Sequence, residues 1–103
     1  MSTRHTLIAS IWLKNGDVER YEAFERAAAR VMSKHGGRIE RALRIGRSNV
    51  PDAPFEVHLT SFPDAAACAA YQIDPETRDL AALRAAVIAR MVIHSGSELP
   101  PYA

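Results

Sequence analysis

Phe62-Pro63-Asp64 closes a strand and opens a helix within three residues, and that corner organises the second half of the chain. Ahead of it, Phe55, Val57 and Leu59 alternate with Glu56, His58 and Thr60, the period of two that a strand imposes. Beyond it, the alanine-rich run to Tyr71 reads as a helix and Ile73-Asp74-Pro75-Glu76 opens another. That second helix runs into a last strand, Met91 to Ser95. Asp64 and Asp74 are natural N-caps, and Pro75 stands at the first helical position, where a missing N–H is no loss.

The first half repeats the plan. Between Thr6 and Leu13, the residues Leu7, Ala9, Ile11 and Leu13 alternate with Thr6, Ile8, Ser10 and Trp12, which makes a first strand. Asp17 caps a helix whose Val18, Tyr21, Phe24, Ala28, Val31 and His35 recur at steps of three and four, and Gly36 ends it. Gly37 to Gly46 alternates again, with Ile39, Leu43 and Ile45 on one side and Arg38, Glu40 and Arg44 on the other. Arg47 to Pro54 is a loop of turn formers. The order βαββαβ, with the second helical element broken in two, predicts an α+β split βαβ sandwich. It has a four-stranded antiparallel sheet in the order 4-1-3-2, with helices on one face. Strand parity assigns Ser10, Trp12, Glu40, Arg44, Glu56, His58, Thr60 and His94 to the other face.

At 103 residues the chain is read as one domain, 1–103, near the size at which dimerisation adds useful burial. Its 48% apolar and 24% charged residues are ordinary for a globular protein. A net charge of +1 argues against nucleic acid as a partner, since neutralising phosphates needs a concentrated basic face. The run Leu7 to Leu13 is too short to span a bilayer and no small-x-small cleavage site follows it, so no membrane association is expected. Cys68 is the only cysteine, which makes the cytoplasm the default compartment.

Several of these residues together resemble a bacterial domain family of unknown function. They are Gly36-Gly37-Arg38, the Phe62-Pro63 corner, Tyr71 two positions before Ile73-Asp74-Pro75-Glu76, Leu83-Arg84, and a last strand ending in Gly96. That family lies in the dimeric α+β-barrel superfamily, and the resemblance covers almost the whole chain in order. It implies a ferredoxin-like monomer whose sheet packs face to face with that of a second copy, with ligand held between helices and sheet. Antibiotic-biosynthesis and haem-degrading monooxygenases, muconolactone isomerases and stress-responsive barrels are relatives there. One departure stands out: an acidic residue is common just before the Phe-Pro corner, and this chain has Ser61. An ion pair with Arg84 at that point is not expected here.

Arg84 is the residue most in need of explanation. At about 100° per residue it projects close to Leu80, inside an apolar arc with Leu83, Val87 and Ile88, so its head must reach the rim or meet an anion. It is either a stem packed on the sheet with a carboxylate partner, or the anion-holding group at the mouth of a helix–sheet cleft. Tyr71 and Tyr21 are expected inward, each a core ring with a hydroxyl at the edge of the packing. With Ser61 and Arg84 they would give an apolar pocket its few polar groups. His58 is the candidate general acid or base, its imidazole suited to proton transfer at neutral pH. Meeting His94 on a metal would require two side chains from strands about 10 Å apart to converge, and no close-spaced ligand pair supports it. No metal and no cofactor are expected. Cys68 reads as an inert buried thiol and His35 as a partner for a helix C-terminus. A phosphate loop, a nucleophile elbow and the stacking aromatics of an RNA-recognition motif are all missing from the sequence.

These features point to a homodimeric small-molecule-binding protein, a candidate cofactor-independent enzyme for a small carbonyl or aromatic metabolite. The alternatives are a monooxygenase of the antibiotic-biosynthesis or haem-degrading type and a non-catalytic dimeric scaffold.

Overall fold

A computed structural model describes residues 4–102. Strand β1 (His5–Leu13) leads through a turn with Asn15 and Gly16 at positive φ into helix α1 (Val18–Lys34). Asp17 caps α1 by accepting from the Arg20 amide, as its place ahead of the apolar stripe predicts. The buried stripe is Tyr21, Phe24, Ala28 and Val31. Gly36, at φ +72°, then reverses the chain into β2 (Arg38–Arg44), and β3 (Glu56–Phe62) returns alongside it.

The second helical element comes in three pieces. Helix α2 (Ala65–Gln72) is capped by Asp64 and α3 (Pro75–Asp79) by Asp74. A third piece, α4 (Ala81–Val87), starts after Leu80 with no side-chain cap. No proline or glycine marks that break, so two helices were expected where three form. Strand β4 (Ile88–Gly96) starts three residues before the expected Met91, because Ile88 already has extended backbone at φ −110°, ψ 117°.

The sheet order is β2-β3-β1-β4, all antiparallel, the predicted 4-1-3-2 read from its other edge. All helices lie on one face. The core between the layers is Ile11, Tyr21, Phe24, Ala28, Val87 and Ile88, flanked by Leu13, Phe55, Leu80, Leu83 and Met91. The molecule is a slab, 42 × 40 × 17 Å. A slab of two layers covers one face of its sheet and leaves the other bare, with Ile8 and Leu43 45% and 66% exposed.

The register corrects the predicted faces of β3. Glu56, His58 and Thr60 pair with Ile11, Ala9 and Leu7, and Ile11 is fully buried beneath the helices. These three polar residues therefore face the helices, not the bare side. Alternation fixes which residues share a face but not which face it is. Here Phe62 decides, since it has the same parity and is 1% exposed in the core. Arg44 is also moved. The β2–β3 register shifts between Ile39 and Arg41, leaving Glu40 as an unpaired bulge residue, and beyond it the parity inverts. Arg44 thereby reaches the helix side opposite Glu56, while Leu43 turns to the bare side.

Ser10, Trp12, Glu40 and His94 lie on the bare side. Ser10 pairs with Val57 and Val92, and His94 with Ile8. The Trp12 ring lies 4.4 Å beneath the Arg90 guanidinium, and its indole N–H donates to the Asp52 carbonyl. His58 and His94 consequently sit on opposite faces of the sheet and cannot share a metal.

Candidate functional site

The strand that turns its polar face inward creates the site. Along β3, Glu56 and His58 are two residues apart and side by side, and His58 Nε2 meets Glu56 Oε1 at 2.8 Å. Both residues are buried, at 9% and 4% exposure. Two further groups hold the carboxylate. The Tyr21 hydroxyl donates to Oε1 at 2.7 Å, and Arg44 donates to Oε2 through Nε at 3.0 Å and Nη2 at 2.8 Å. Burial alone would raise the Glu56 pKa, but these bonds from His58, Tyr21 and Arg44 together bring it below the ordinary carboxylate range. Glu56 is therefore an anion that fixes its neighbours. Assigned from this network, His58 carries its proton on Nε2 and presents a free Nδ1.

That Nδ1 lies 3.5 Å from Glu25 Oε2 on α1. Glu25 is pushed the opposite way from Glu56. Burial raises its pKa and the charge of Glu56 adds to this, against the attraction of His58 and Arg84. Two carboxyl groups thus bracket one imidazole, one held as an anion and the other biased toward its acid form. Because they meet opposite ring nitrogens, the three groups do not converge on one point. Among the described residues no cluster of three or more His, Cys, Asp or Glu could hold a metal.

Glu25 and His58 form part of the wall of a cavity of about 240 Å³ between helices and sheet. Its apolar lining includes Leu7, Ile11, Phe24, Met32, Phe62, Leu80 and Met91, and its polar groups include Thr60, Tyr71, Gln72, Thr77 and Arg84. The volume lies below the ~300–1,000 Å³ of sites for drug-sized ligands, a size for a small metabolite. Arg84 is exposed at the mouth, where its Nη2 meets Met91 Sδ at 3.7 Å and no carboxylate. Tyr71 stacks tilted on Phe62, ring centroids 5.5 Å apart, and burial pushes its phenol upward, with Glu25 adding to the effect. Cys68 also lines the cavity as a buried thiol whose pKa burial raises.

The structure thus brings together three of the predicted site residues, His58, Arg84 and Tyr71. Tyr21 is fully buried behind the wall and acts on the site only through Glu56. Ser61 is removed from the site. Its parity places it on the bare side, where its hydroxyl donates to Glu40 and accepts from Arg4 Nε, both at 2.8 Å. Glu25 and Glu56 were not singled out from sequence. A signal existed for Glu25, which stands four residues after Tyr21 and three before Ala28, inside the buried stripe of α1.

No family model matches the chain, and no curated protein matches it. Solved structures do. A protein of unknown function from Rhodopseudomonas palustris superposes with a TM-score of 0.83 at 18% identity, over 98% of this chain and 86% of the other. A dimeric ferredoxin-like protein of unknown function from Thermobifida fusca superposes at 0.69 with 13% identity, over 95% and 93%. The fold is ferredoxin-like. An antibiotic biosynthesis monooxygenase-like protein from Bacteroides thetaiotaomicron shares this fold, at TM-score 0.72 and 15% identity over 95% and 91% of the two chains. At such identities the likeness establishes the ferredoxin-like architecture and leaves the chemistry to the site itself.

Proposed function

We propose that this protein is a homodimer that binds a small carbonyl or aromatic metabolite between its helices and sheet and acts on it by proton transfer, without a resident cofactor. The observation that carries the reading is the imidazole of His58, held at Nε2 by the Glu56 anion and set by its Nδ1 at the wall of an apolar cavity. A base pre-oriented by a buried carboxylate is an arrangement suited to general acid–base work. Arg84 at the mouth supplies a forked cation for an anionic end of the ligand. Tyr71 shapes the inner wall.

The dimer is supported by the exposed apolar residues of the bare sheet face and by the dimeric relative from Thermobifida fusca. A cytoplasmic setting is supported by the single, reduced Cys68. Among the described residues no helix is long and apolar enough to cross a membrane.

The test is a screen of small carboxylates and aromatic carbonyl compounds by amide chemical-shift changes in the labelled protein. Binding should move the amides of Thr60, Tyr71 and Met91. Arg84→Met should abolish uptake while leaving the melting temperature nearly unchanged, since the guanidinium is exposed and bonded only weakly to sulfur. A large loss of stability in that variant would return Arg84 to a packing role. A wild-type protein that binds no compound in the screen would refute the reading as a whole.

A further inference from the structure

Two proton carriers stand side by side on one wall of the cavity. His58 Nδ1 and Glu25 Oε2 are 3.5 Å apart, both groups are largely withdrawn from water, and the far side of the imidazole is already bonded to Glu56. The neighbour of the free ring nitrogen is a carboxyl group. It is neither a hydroxyl nor a thiol that a base would activate for attack on the substrate. Cys68 shares the cavity, but burial holds it as the thiol. A base next to an acid, with no nucleophile between them, is the equipment for moving a proton from one atom of a substrate to another.

We infer that Glu25 and His58 form a proton-exchanging pair for an enolisable oxo acid whose carboxylate is held by Arg84, which makes the protein a tautomerase or isomerase of such compounds. This rests on the reading of the cavity as a small-molecule site. The lone pair of His58 Nδ1 takes a proton from the carbon next to the carbonyl. The electrons of that C–H bond form the C=C bond, and the carbonyl π pair moves to oxygen, which takes the proton of the Glu25 carboxyl. The products are the enol, an imidazolium and a carboxylate. Transfer of the proton from Nδ1 to Glu25 across the short gap restores both groups. One proton has moved from carbon to oxygen, and no oxidant, reductant or co-reactant is consumed.

Each partner has structural support for its role. Glu56 stabilises the imidazolium as it forms, and Tyr21 and Arg44 hold Glu56 in place, so Glu56 is a positioning residue. Glu25 is biased toward the protonated form by burial, as a donor must be. The cavity's apolar lining accepts the hydrocarbon part of the acid while Arg84 keeps its carboxylate at the mouth. Contacts of this kind tighten when substrate fills a site, so the 3.5 Å gap is compatible with transfer.

The experiment uses phenylpyruvate and 2-oxobutyrate in D2O, with loss of the C3 proton signals followed by proton NMR and binding measured by titration of the labelled protein. Wild type should bind at least one acid saturably and exchange its C3 protons above the buffer rate. His58→Gln should lower that exchange by about a hundredfold or more and Glu25→Gln by about tenfold or more, binding being retained, with Glu25→Asp recovering part of the loss. Should His58→Gln fail to fold, the Glu25 pair carries the test alone. Saturable binding without exchange, or exchange undiminished in the variants, overturns the inference and leaves the small-molecule reading standing. Failure of both acids to bind overturns the substrate class proposed here, while the broader ligand screen judges the cavity independently.

Discussion

Tyr21→Phe removes one oxygen from the centre of the molecule and almost nothing else. The ring stays in place, edge-on to Phe55 with centroids 5.6 Å apart, so no cavity larger than a hydroxyl opens. Lost is a 2.7 Å hydrogen bond from a fully buried hydroxyl to the Glu56 carboxylate. Burial, with Glu25 and Glu56 beside it, pushes the Tyr21 phenol far above its usual range, so it is a donor at every pH at which the protein folds. Hydrogen bonds to charged groups contribute about 1.5–3 kcal/mol. Because Glu56 keeps His58 and Arg44, the loss should fall at the lower end, about 1.5–2 kcal/mol. For a domain of this size that is a fall in melting temperature of roughly 6–16 °C.

Urea denaturation at one fixed protein concentration measures the change, an unaltered slope showing that only stability moved. The pH dependence gives a second readout. Glu56 has its folded pKa depressed, so its contribution is complete above the unfolded pKa and is lost as pH falls through the folded one. Removing a bond that lowers the folded pKa should bring it closer to the unfolded one, so the acid loss due to Glu56 should be smaller and should end at higher pH than in wild type. A change below about 0.5 kcal/mol with an unaltered acid limb would refute the idea that Tyr21 holds Glu56, and with it the chain of contacts that orients His58.

Other perturbations probe the frame around the site. Asp74 accepts from His35, from the Glu76 amide and from Lys34, which together lower its pKa from 3.8 to about 2. Acid titration of wild type should therefore lose the Asp74 contribution as pH falls from about 4 to about 2, and Asp74→Asn should flatten that limb; an unchanged profile would show that the clasp between α1 and α3 is idle. At Gly37 an added Cβ would run into the Phe62 ring, so Gly37→Ala should destabilise by about 1–3 kcal/mol in urea and displace the Phe62–Tyr71 stack in the NMR spectrum. Light scattering at micromolar concentration should give twice the chain mass, and a clean monomer would falsify the dimer.

Much of the frame was legible because its signals are local. Asp17, Asp64 and Asp74 each accept from a backbone amide as expected of an N-cap, and the alternation of β1 survives in an unbroken register with β3. Arg84 could be singled out because a guanidinium inside an apolar helical arc has few places to go, and the cavity mouth is one of them. What stayed hidden depends on contacts between elements. The inner face of β3 carries Glu56, His58 and Thr60, against the rule that apolar side chains turn inward. The polar atoms of Glu56 and His58 find partners on α1 and β2, and no buried side-chain polar atom among the described residues lacks one. The rule fails where those partners exist, and they are far apart in sequence. Arg44 lies 12 residues from Glu56 and Tyr21 lies 35. Nor does the sequence mark the bulge at Glu40, which alone turns Arg44 inward.

The corrected faces separate two tasks that strand parity alone had merged. With the polar residues of β3 inside, the bare side of the sheet presents Ile8, Leu43, Val57, Leu59 and Val92, an apolar surface suited to a second copy, and the groups proposed to transfer protons lie on the opposite, helix-covered side. The sheet stands between them. Ile8→Lys places a charge on the bare face opposite His94, on the side of the sheet away from the cavity, which is lined there by its neighbours Leu7 and Ala9. It should convert the protein to a monomer by light scattering, while small carboxylates found to bind wild type should bind the variant with the same affinity, provided its melting curve shows it folded. A folded monomer that has lost binding would mean that the partner copy completes the cavity, and the site would then have to be rebuilt as a shared one.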